Sequence, residues 1–342
     1  MSMLKFLGKR LALSLLALFG LSILIFIIGR VLPGDPARMA LSPRAPDWAV
    51  ERLQEQMGFN KPIYAQYYFW ISNAFRGDLG DSLYTRRAVV EDIKQFLPAT
   101  VELALFAAII MAVFGILLGA LAGRYKNTWV DNGVRSLAYV GVCTPAFVFG
   151  LVFILLFSYT LRVLPTGGRM TFGMPRPSPI TGLLSLDALI TGNFAALGDI
   201  LKHLLLPALS LALGGMGQES RLTRASISDN LRKEYISSAR GFGIPNWLVT
   251  LKFLLKPSLI PTVSILGLDI AVLFSNAFLV ELVFSWPGFS KYGINAMLRK
   301  DLNALSAVVL ILGVVFVIAN ILVDVTVAWL DPRIRLGVER QK

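Results

Sequence analysis

The sequence predicts an all-α membrane protein with six transmembrane helices. Hydrophobic residues make up 55% of the 342-residue chain and charged residues only 16%, whereas soluble domains carry about 25% charged residues. Apolar stretches of membrane-spanning character alternate with polar connections along the whole chain. Lysine and arginine gather in every second connection, as the positive-inside rule requires of cytoplasmic loops. The predicted spans are residues 11–29, 98–122, 134–161, 204–216, 262–284 and 305–330.

The first span follows a basic start, Lys5, Lys9 and Arg10. A basic start and an apolar core also describe a signal peptide. The apolar run Leu11–Gly29 is longer than the usual core of such a peptide, however, and no A-x-A-like cleavage site follows it. We therefore expect residues 1–30 to be a retained first span that enters from the cytoplasm.

Residues 31–97 are too polar to span and are expected to be extracytoplasmic. They begin with a turn at Pro33–Pro36 and continue with a short helix, Asp47–Met57, capped by Asp47. The aromatic residues between Tyr64 and Phe75 favour an amphipathic helix at the level of the lipid headgroups over a ligand-stacking surface.

The remaining spans form the predicted core domain, residues 98–342. In the second span Gly115, Gly119 and Gly123 recur every four residues, which lets another helix approach closely. Pro145 interrupts the third span and predicts a kink there. A further extracytoplasmic segment, Leu164–Lys202, should be weakly helical near residues 183–192.

The ends of the later spans complete the topology. The fourth span continues as a charged helix to Asp229, and Asp331-Pro332-Arg333 stops the sixth span. Six spans place both termini in the cytoplasm. The short connections 124–135 and 221–256 then also lie inside, and both are basic.

The segment 232–261, within the loop 225–261, is basic and amphipathic. On a helix Tyr235, Ala239 and Phe242 fall at i, i+4 and i+7. Gly241 and Gly243 should end this helix, and Pro245 should begin another. The second helix places an apolar stripe on one side. Its members are Trp247, Leu248, Leu251, Leu254 and Leu255.

This segment resembles the cytoplasmic EAA loop of ABC importer permeases, most closely those of the dipeptide/oligopeptide (peptide/nickel) family. Ser237-Ser238-Ala239 take the place of the E-A-A triplet, and Gly243 that of the following glycine. The sequence departs from the pattern at Ser237, where the acidic residue is missing, and at Lys256, where proline is usual. The alternative is an ordinary interfacial loop. The resemblance extends over nearly the whole chain, including the GDPAR, RGDLGDS, FSWPG and DPR stretches.

The resemblance implies a type I importer permease in a bacterial inner membrane, surrounded by lipid. Expected partners are a second homologous permease, two ABC ATPase subunits and an extracytoplasmic substrate-binding protein. The expected cargo is a di- or oligopeptide; the alternatives are nickel, glutathione or an oligosaccharide. The residues expected to couple to the ATPases are Ser237, Ser238, Ala239, Arg240, Gly241, Phe242, Gly243 and Ile244.

No catalytic or cofactor-binding constellation emerges from the sequence. The sequence contains one cysteine, Cys143, and one histidine, His203. These numbers exclude an internal disulfide and a Cys/His zinc site. No G-x-x-x-x-G-K-[ST] stretch occurs, so ATP and Mg²⁺ should be bound by partner subunits. The net charge of +12 is attributed to the cytoplasmic flanks of the spans and not to nucleic-acid binding.

Charged residues within membrane spans are candidates for function. Asp269 and Asp324 are the clearest. For Asp324 we expect an ion pair with Arg333 or Arg335. For Asp269, pathway lining and a satisfied polar contact remain equally open, and we expect its loss to alter transport rate more than substrate choice. Asn276 is the second candidate for pathway lining.

Three further carboxylates, Glu102, Glu219 and Glu281, lie near span ends. A stand-alone secondary transporter would show inverted repeats with paired broken helices, and the sequence has no such internal symmetry. A membrane enzyme would need a reactive cluster. The sequence therefore favours a permease subunit without catalytic residues of its own.

Overall fold

The computed structural model describes residues 3–31, 46–56 and 60–330, and within them the fold is all-α. The only extended pairing there is one antiparallel bridge, Asp81 with Ala88. The predicted turn at 33–36, the end of the short helix at Met57 and the stop at 331–333 lie outside the described residues.

The described helices include two that contain a π-helical segment, in which the backbone bonds run from i to i+5. We number the helices in chain order. They are α1 Met3–Val31, α2 Asp47–Gln56, α3 Ile63–Phe75, α4 Val89–Arg124, α5 Trp129–Cys143, α6 Ala146–Phe153 continued by the π segment Ile154–Thr160, α7 Leu184–Ile190, α8 Phe194–Asn230, α9 Glu234–Gly241, α10 Asn246–Leu248 continued by the π segment Val249–Leu255, α11 Lys256–Val283, α12 Phe289–Leu298 and α13 Leu302–Leu330.

Five of the described helical stretches are long and apolar enough to cross a membrane, and a sixth exists if α5 and α6 count as one span. The axes of those two helices differ by 108°. The predicted span 134–161 is therefore wrong as one continuous helix. The backbone is extended at Thr144 and Pro145, between the two halves. Proline lacks the N–H that would donate the next hydrogen bond of helix α5. The predicted kink is a break.

Helix α8 lies at the centre of the described bundle, packed against α4, α5, α6 and α11. The glycine series on α4 makes the closest of these approaches possible. A Cβ on Gly115 would lie 2.7 Å from Cβ of Glu219, and one on Gly119 would lie 2.6 Å from the Ser220 carbonyl oxygen. The predicted close approach is confirmed, and its partner is α8.

Helix α1 packs against α13 and carries α3 beside it. Asp324, on α13, forms an ion pair with Arg10 of α1 at 3.2 Å (Nε to Oδ2). The predicted partners of Asp324, Arg333 and Arg335, lie outside the described residues. The pair thus joins the first and last spans of the chain.

The aromatic residues of α3 divide between two environments. Tyr67 shares a hydrogen bond with Ser22 Oγ at 2.7 Å and lies edge-on to Phe26 of α1. By contrast, Tyr64, Tyr68 and Phe75 are exposed. One side of α3 therefore fixes it to α1, and the other is an apolar surface.

The glycine seam gives the first testable prediction. Gly119→Ala should lower the melting temperature of the purified protein, because overpacking of a close contact costs about 1–3 kcal/mol and the new methyl would meet backbone on α8. Gly133→Ala is the control, since nothing lies within 4 Å of its Cβ position. Equal melting temperatures for the two variants would contradict a rigid α4–α8 contact.

Candidate functional site

The predicted coupling loop folds as a short helix with a glycine corner. Helix α9 ends at Gly241, and Phe242 follows as its cap. Gly243 adopts a φ of +73° and donates its N–H to the Arg240 carbonyl at 3.0 Å, while Ile244 N–H reaches the Ala239 carbonyl at 3.2 Å. These bonds satisfy carbonyls that a helix end otherwise leaves free. The predicted corner is confirmed at Gly243, whereas Gly241 still belongs to the helix.

The two sides of α9 differ in exposure. Ile236 and Ala239 are buried in an apolar cluster with Ile227 of α8 and with Val249 and Leu254 of the π segment after α10. We call these five residues the loop cluster. Ala239, one of the residues expected to couple to the ATPases, is therefore not exposed, because α9 turns this face toward the bundle. Of the other candidate residues, Ile244 is half-buried and Ser237, Ser238, Arg240, Gly241, Phe242 and Gly243 are exposed.

Phe242 is the most exposed apolar side chain of this loop, with 85% of its surface accessible. Trp247 and Leu251 are also exposed, at 65% and 56%. Large apolar side chains on a polar, basic loop are costly to hydrate and mark a surface for a partner. They therefore define the candidate contact surface of the loop.

The second predicted helix of the loop is continuous with the fifth span. After Pro245 the chain is helical from Asn246 to Val283 without a break, and the part near its start, Val249–Leu255, is π-helical. The separate start of a span at Thr262 is therefore wrong. The wider π turns also divide the predicted apolar stripe, because they shift the register of the side chains. As a result Leu254 is buried while Leu251 faces out.

Hydrogen bonds tie the base of the loop to α8 and α11. Tyr235 donates its hydroxyl to Asn230 Oδ1 at 3.3 Å, and Asn230 donates to Ser258 Oγ at 2.9 Å. Desolvation raises the pKa of the Tyr235 phenol, so it stays a neutral donor. Six residues before Asn230 on α8, Arg224 forms a bidentate pair with buried Asp131 of α5.

The two candidates for pathway lining both lie on α11. Asp269 is half-buried and Asn276 is exposed, seven residues or about two turns further along the same helix. Asp269 Oδ1 accepts from Gln218 Nε2 at 3.4 Å, the outer limit of a hydrogen bond. Its carboxyl group also lies beside that of Glu219 on α8, and the two can form a hydrogen bond when one of them is protonated.

Sequence reasoning missed a polar hub at the other end of the bundle. Glu102 of α4 accepts from Arg169 Nη2 at 2.5 Å and from the Ser185 N–H at 2.6 Å. Glu281 accepts from Thr100 and from the Lys291 N–H. The hub holds the 162–183 connection against α4 and joins α4 to α11. The charges of Glu102 and Glu281 near span ends were its signal in the sequence, but their partners are too distant along the chain to be predicted.

Trp286 packs within this hub. It is fully buried, and its Nε1–H donates to the Ala99 carbonyl at 2.9 Å. Its position explains the FSWPG stretch as a structural element, since the turn at Pro287 and Gly288 lets Gly288 lie directly against the carboxylate of Glu281.

Comparison with known proteins places this geometry in a family. Residues 115–336 match the model of the binding-protein-dependent transport system inner membrane component, and residues 3–104 match its N-terminal companion. The chain is 39% identical to the probable D,D-dipeptide transport system permease protein of Escherichia coli K12, over 94% of this chain and 95% of the relative.

Other relatives cover the chain as fully. The di/tripeptide transport system permease protein of Pseudomonas aeruginosa is 33% identical over 97% of this chain and 99% of its own length. The glutathione transport system permease protein of Escherichia coli K12 is 32% identical over the same shares. The chain is thus a multi-pass permease subunit of the inner membrane and not the catalytic subunit of its transport system. It belongs to the family of binding-protein-dependent transport system inner membrane components.

Proposed function

We propose that this subunit forms half of the membrane pathway of an ATP-driven importer for di- or oligopeptides. The observation that carries the proposal is the loop 232–261, in which exposed Phe242 stands on a cluster shared by α8, α9 and the π segment before α11. Relatives named as peptide permeases over nearly their full length support the cargo. Import of a labelled dipeptide into vesicles holding the complete complex tests it.

The complex contains a second, similar permease, two ABC ATPase subunits and an extracytoplasmic binding protein that delivers the cargo. This chain binds no cofactor; ATP and Mg²⁺ belong to the ATPases. The residues 237–244 seat in a groove of an ATPase, with Phe242 as the apolar anchor. A side chain of this size, largely exposed in the free loop and buried in a partner, is a typical hot spot.

The coupling mechanism follows from the loop's attachment. When ATP draws the ATPases together, each pushes on its loop. Because the loop cluster packs α9 against α8 and the π segment that leads into α11, a displacement of α9 also displaces α8 and α11. The loop itself does not deform. Movement of these packed helices switches the pathway between outward- and inward-facing arrangements.

Both termini and the loop 225–261 lie in the cytoplasm in this proposal, and residues 31–97 and 164–202 lie outside. Residues 98–342 are the core permease domain, and Asp269 and Asn276 of α11 line the pathway. Glutathione is the second candidate cargo, favoured by the glutathione permease among the relatives. Nickel and oligosaccharide remain cargo alternatives for the same architecture, since the binding protein selects the cargo.

Substitutions in the loop should separate contact from folding. Phe242→Asp and Gly243→Val should leave the subunit inserted and paired, yet release the ATPases in a pull-down, because they remove an anchor worth about 2 kcal/mol or more or strain a positive-φ corner. Ala239→Asp should instead lower the melting temperature, since it buries a charge in the loop cluster.

The matched control is Trp129→Ala, which removes another largely exposed aromatic side chain outside the loop. It should retain the ATPases and full substrate-stimulated ATP hydrolysis. If Phe242→Asp and Gly243→Val also retain both, the loop does not couple the subunits.

The orientation has its own test. In a Cys143→Ser background, cysteines introduced at Asn60 or Asp78 should react with an impermeant thiol reagent added outside intact cells. A cysteine at Ser237, which is exposed on α9, should react only after the membrane is opened. External labelling at position 237 would invert the proposed topology.

A further inference from the structure

An apolar groove lies between α4 and α8, beside the first half of α8. Its volume is about 370 Å³, within the range of roughly 300–1,000 Å³ that is usual for small-molecule sites. All but one of its lining residues are hydrophobic, and the exception is Lys202. The hydrophobic ones are Phe106 and Ile110 of α4 and Leu201, Leu204, Leu205 and Ala208 of α8. The groove therefore suits a hydrocarbon chain with a negatively charged group at one end.

The spacing of the lining residues makes the groove run along α8. Leu201, Leu205 and Ala208 recur at i, i+4 and i+7, which places them on one side of the helix. Seven residues of helix extend over about 10 Å, so the groove follows α8 for roughly two turns. Lys202 lies at one end of this length, just before the predicted fourth span, residues 204–216. A lysine at the end of a span reaches the level of the lipid headgroups.

The groove opens on a hydrophobic surface. Leu201 and Leu205 are exposed. Leu105 and Ile109, each of which precedes a lining residue of α4 by one position, are exposed as well. A surface of this kind on membrane-spanning helices is a contact surface for lipid or for another membrane protein. An empty space beside it deprives both of its walls of van der Waals contacts, which a lipid chain restores.

The ammonium group of Lys202 is available to a ligand. Lys202 is exposed and forms no hydrogen bond or ion pair within the described part of the chain. Asp199, three residues earlier, attracts it from a greater distance, and the two oxygens of Asp199 accept from the backbone N–H and the hydroxyl of Thr171, both at 2.7 Å. An ammonium supplies three N–H donors and no acceptor, and lysine is a common phosphate binder.

We infer that the groove binds one acyl chain of a membrane phospholipid, whose phosphate group accepts hydrogen bonds from the Lys202 ammonium. Residues 164–202 lie outside in the proposed topology, so the lipid belongs to the outer leaflet. A headgroup that carries its own cation competes with Lys202 for the phosphate. The site therefore prefers phosphatidylglycerol, which has no such cation, to phosphatidylcholine. The inference goes beyond the proposed function and depends neither on the cargo nor on the coupling loop.

The test is photolabelling of the complete complex in vesicles. The probe is a phosphatidylglycerol with a photoreactive diazirine in one acyl chain, at a mole fraction low enough for labelling to report affinity. Labelled residues are located by mass spectrometry after proteolysis. We expect the lining residues to be labelled more strongly than Val113 and Leu117, which are exposed on α4 outside the groove. Unlabelled phosphatidylglycerol should suppress this labelling at a lower concentration than unlabelled phosphatidylcholine.

Substitution of Lys202 tests the headgroup contact. Lys202→Gln should reduce labelling of the lining residues about fivefold, which corresponds to about 1 kcal/mol, the effect of one lysine at an anionic lipid surface. Lys202→Arg keeps the charge and should retain most of the labelling. The matched control is Lys94→Gln, because Lys94 is an exposed lysine near the start of α4 that does not line the groove. Unchanged labelling in Lys202→Gln would refute the phosphate contact.

Substitution of Ile110 tests the acyl-chain contact. Ile110→Phe places a larger side chain on the wall of the groove. It should reduce labelling of Leu201 and Leu205, because less room remains for the lipid chain. The control is Val113→Phe, a similar enlargement at an exposed position of the same helix outside the groove, which should leave labelling of the groove unchanged.

Three further results would overturn the inference. Equal labelling of the lining residues and of Val113 and Leu117 would indicate surrounding lipid without a preferred site. Suppression of labelling by inorganic phosphate as strong as that by phosphatidylglycerol would indicate a site for free anions. The third is the absence of label from the groove. If a cysteine at position 205, in a Cys143→Ser background, then cross-links to the sister permease, the groove is a contact between permeases.

Discussion

The close packing of α8 against α4 is the contact on which the rest of the described structure depends. Gly115 and Gly119 bring the two helices so near that a single methyl on Gly119 would collide with backbone. In lipid, where water cannot drive helices together, such van der Waals contact is what holds a bundle. From this seam α8 reaches one end of the bundle with Asp199, the middle with Glu219 and the other end with Ile227.

The polar partners of α8 differ along its length. At one end Asp199 accepts two bonds from Thr171, and near the other Arg224 neutralises Asp131. Between them Glu219 is fully buried and lies beside Asp269 of α11. The bonds at the two ends fix α8 to its neighbours, which suits it to the role of a lever in the proposed coupling.

Local rules predicted the features that depend on neighbouring residues. Six spans, the glycine seam and the positive φ at Gly243 follow from hydrophobicity, spacing and the lack of a Cβ. Features that depend on distant residues were missed or misplaced. Arg10 and Asp324 meet although 314 positions separate them, since α1 lies beside α13. Ala239 is buried because the π segment turns Val249 and Leu254 toward it, and no periodicity in the sequence signals π turns.

The central claim is that the loop cluster makes α9 rigid with respect to α8. It is tested most directly by measuring, with paired spin labels, the distance between position 234 on α9 and position 221 on α8, both exposed, in a Cys143→Ser background of the complete complex. We expect the same narrow distance distribution in the nucleotide-free and the ATP-bound state, while the distance from position 234 to the sister permease changes. A shift or broadening of the 221–234 distance on ATP binding would contradict a rigid lever.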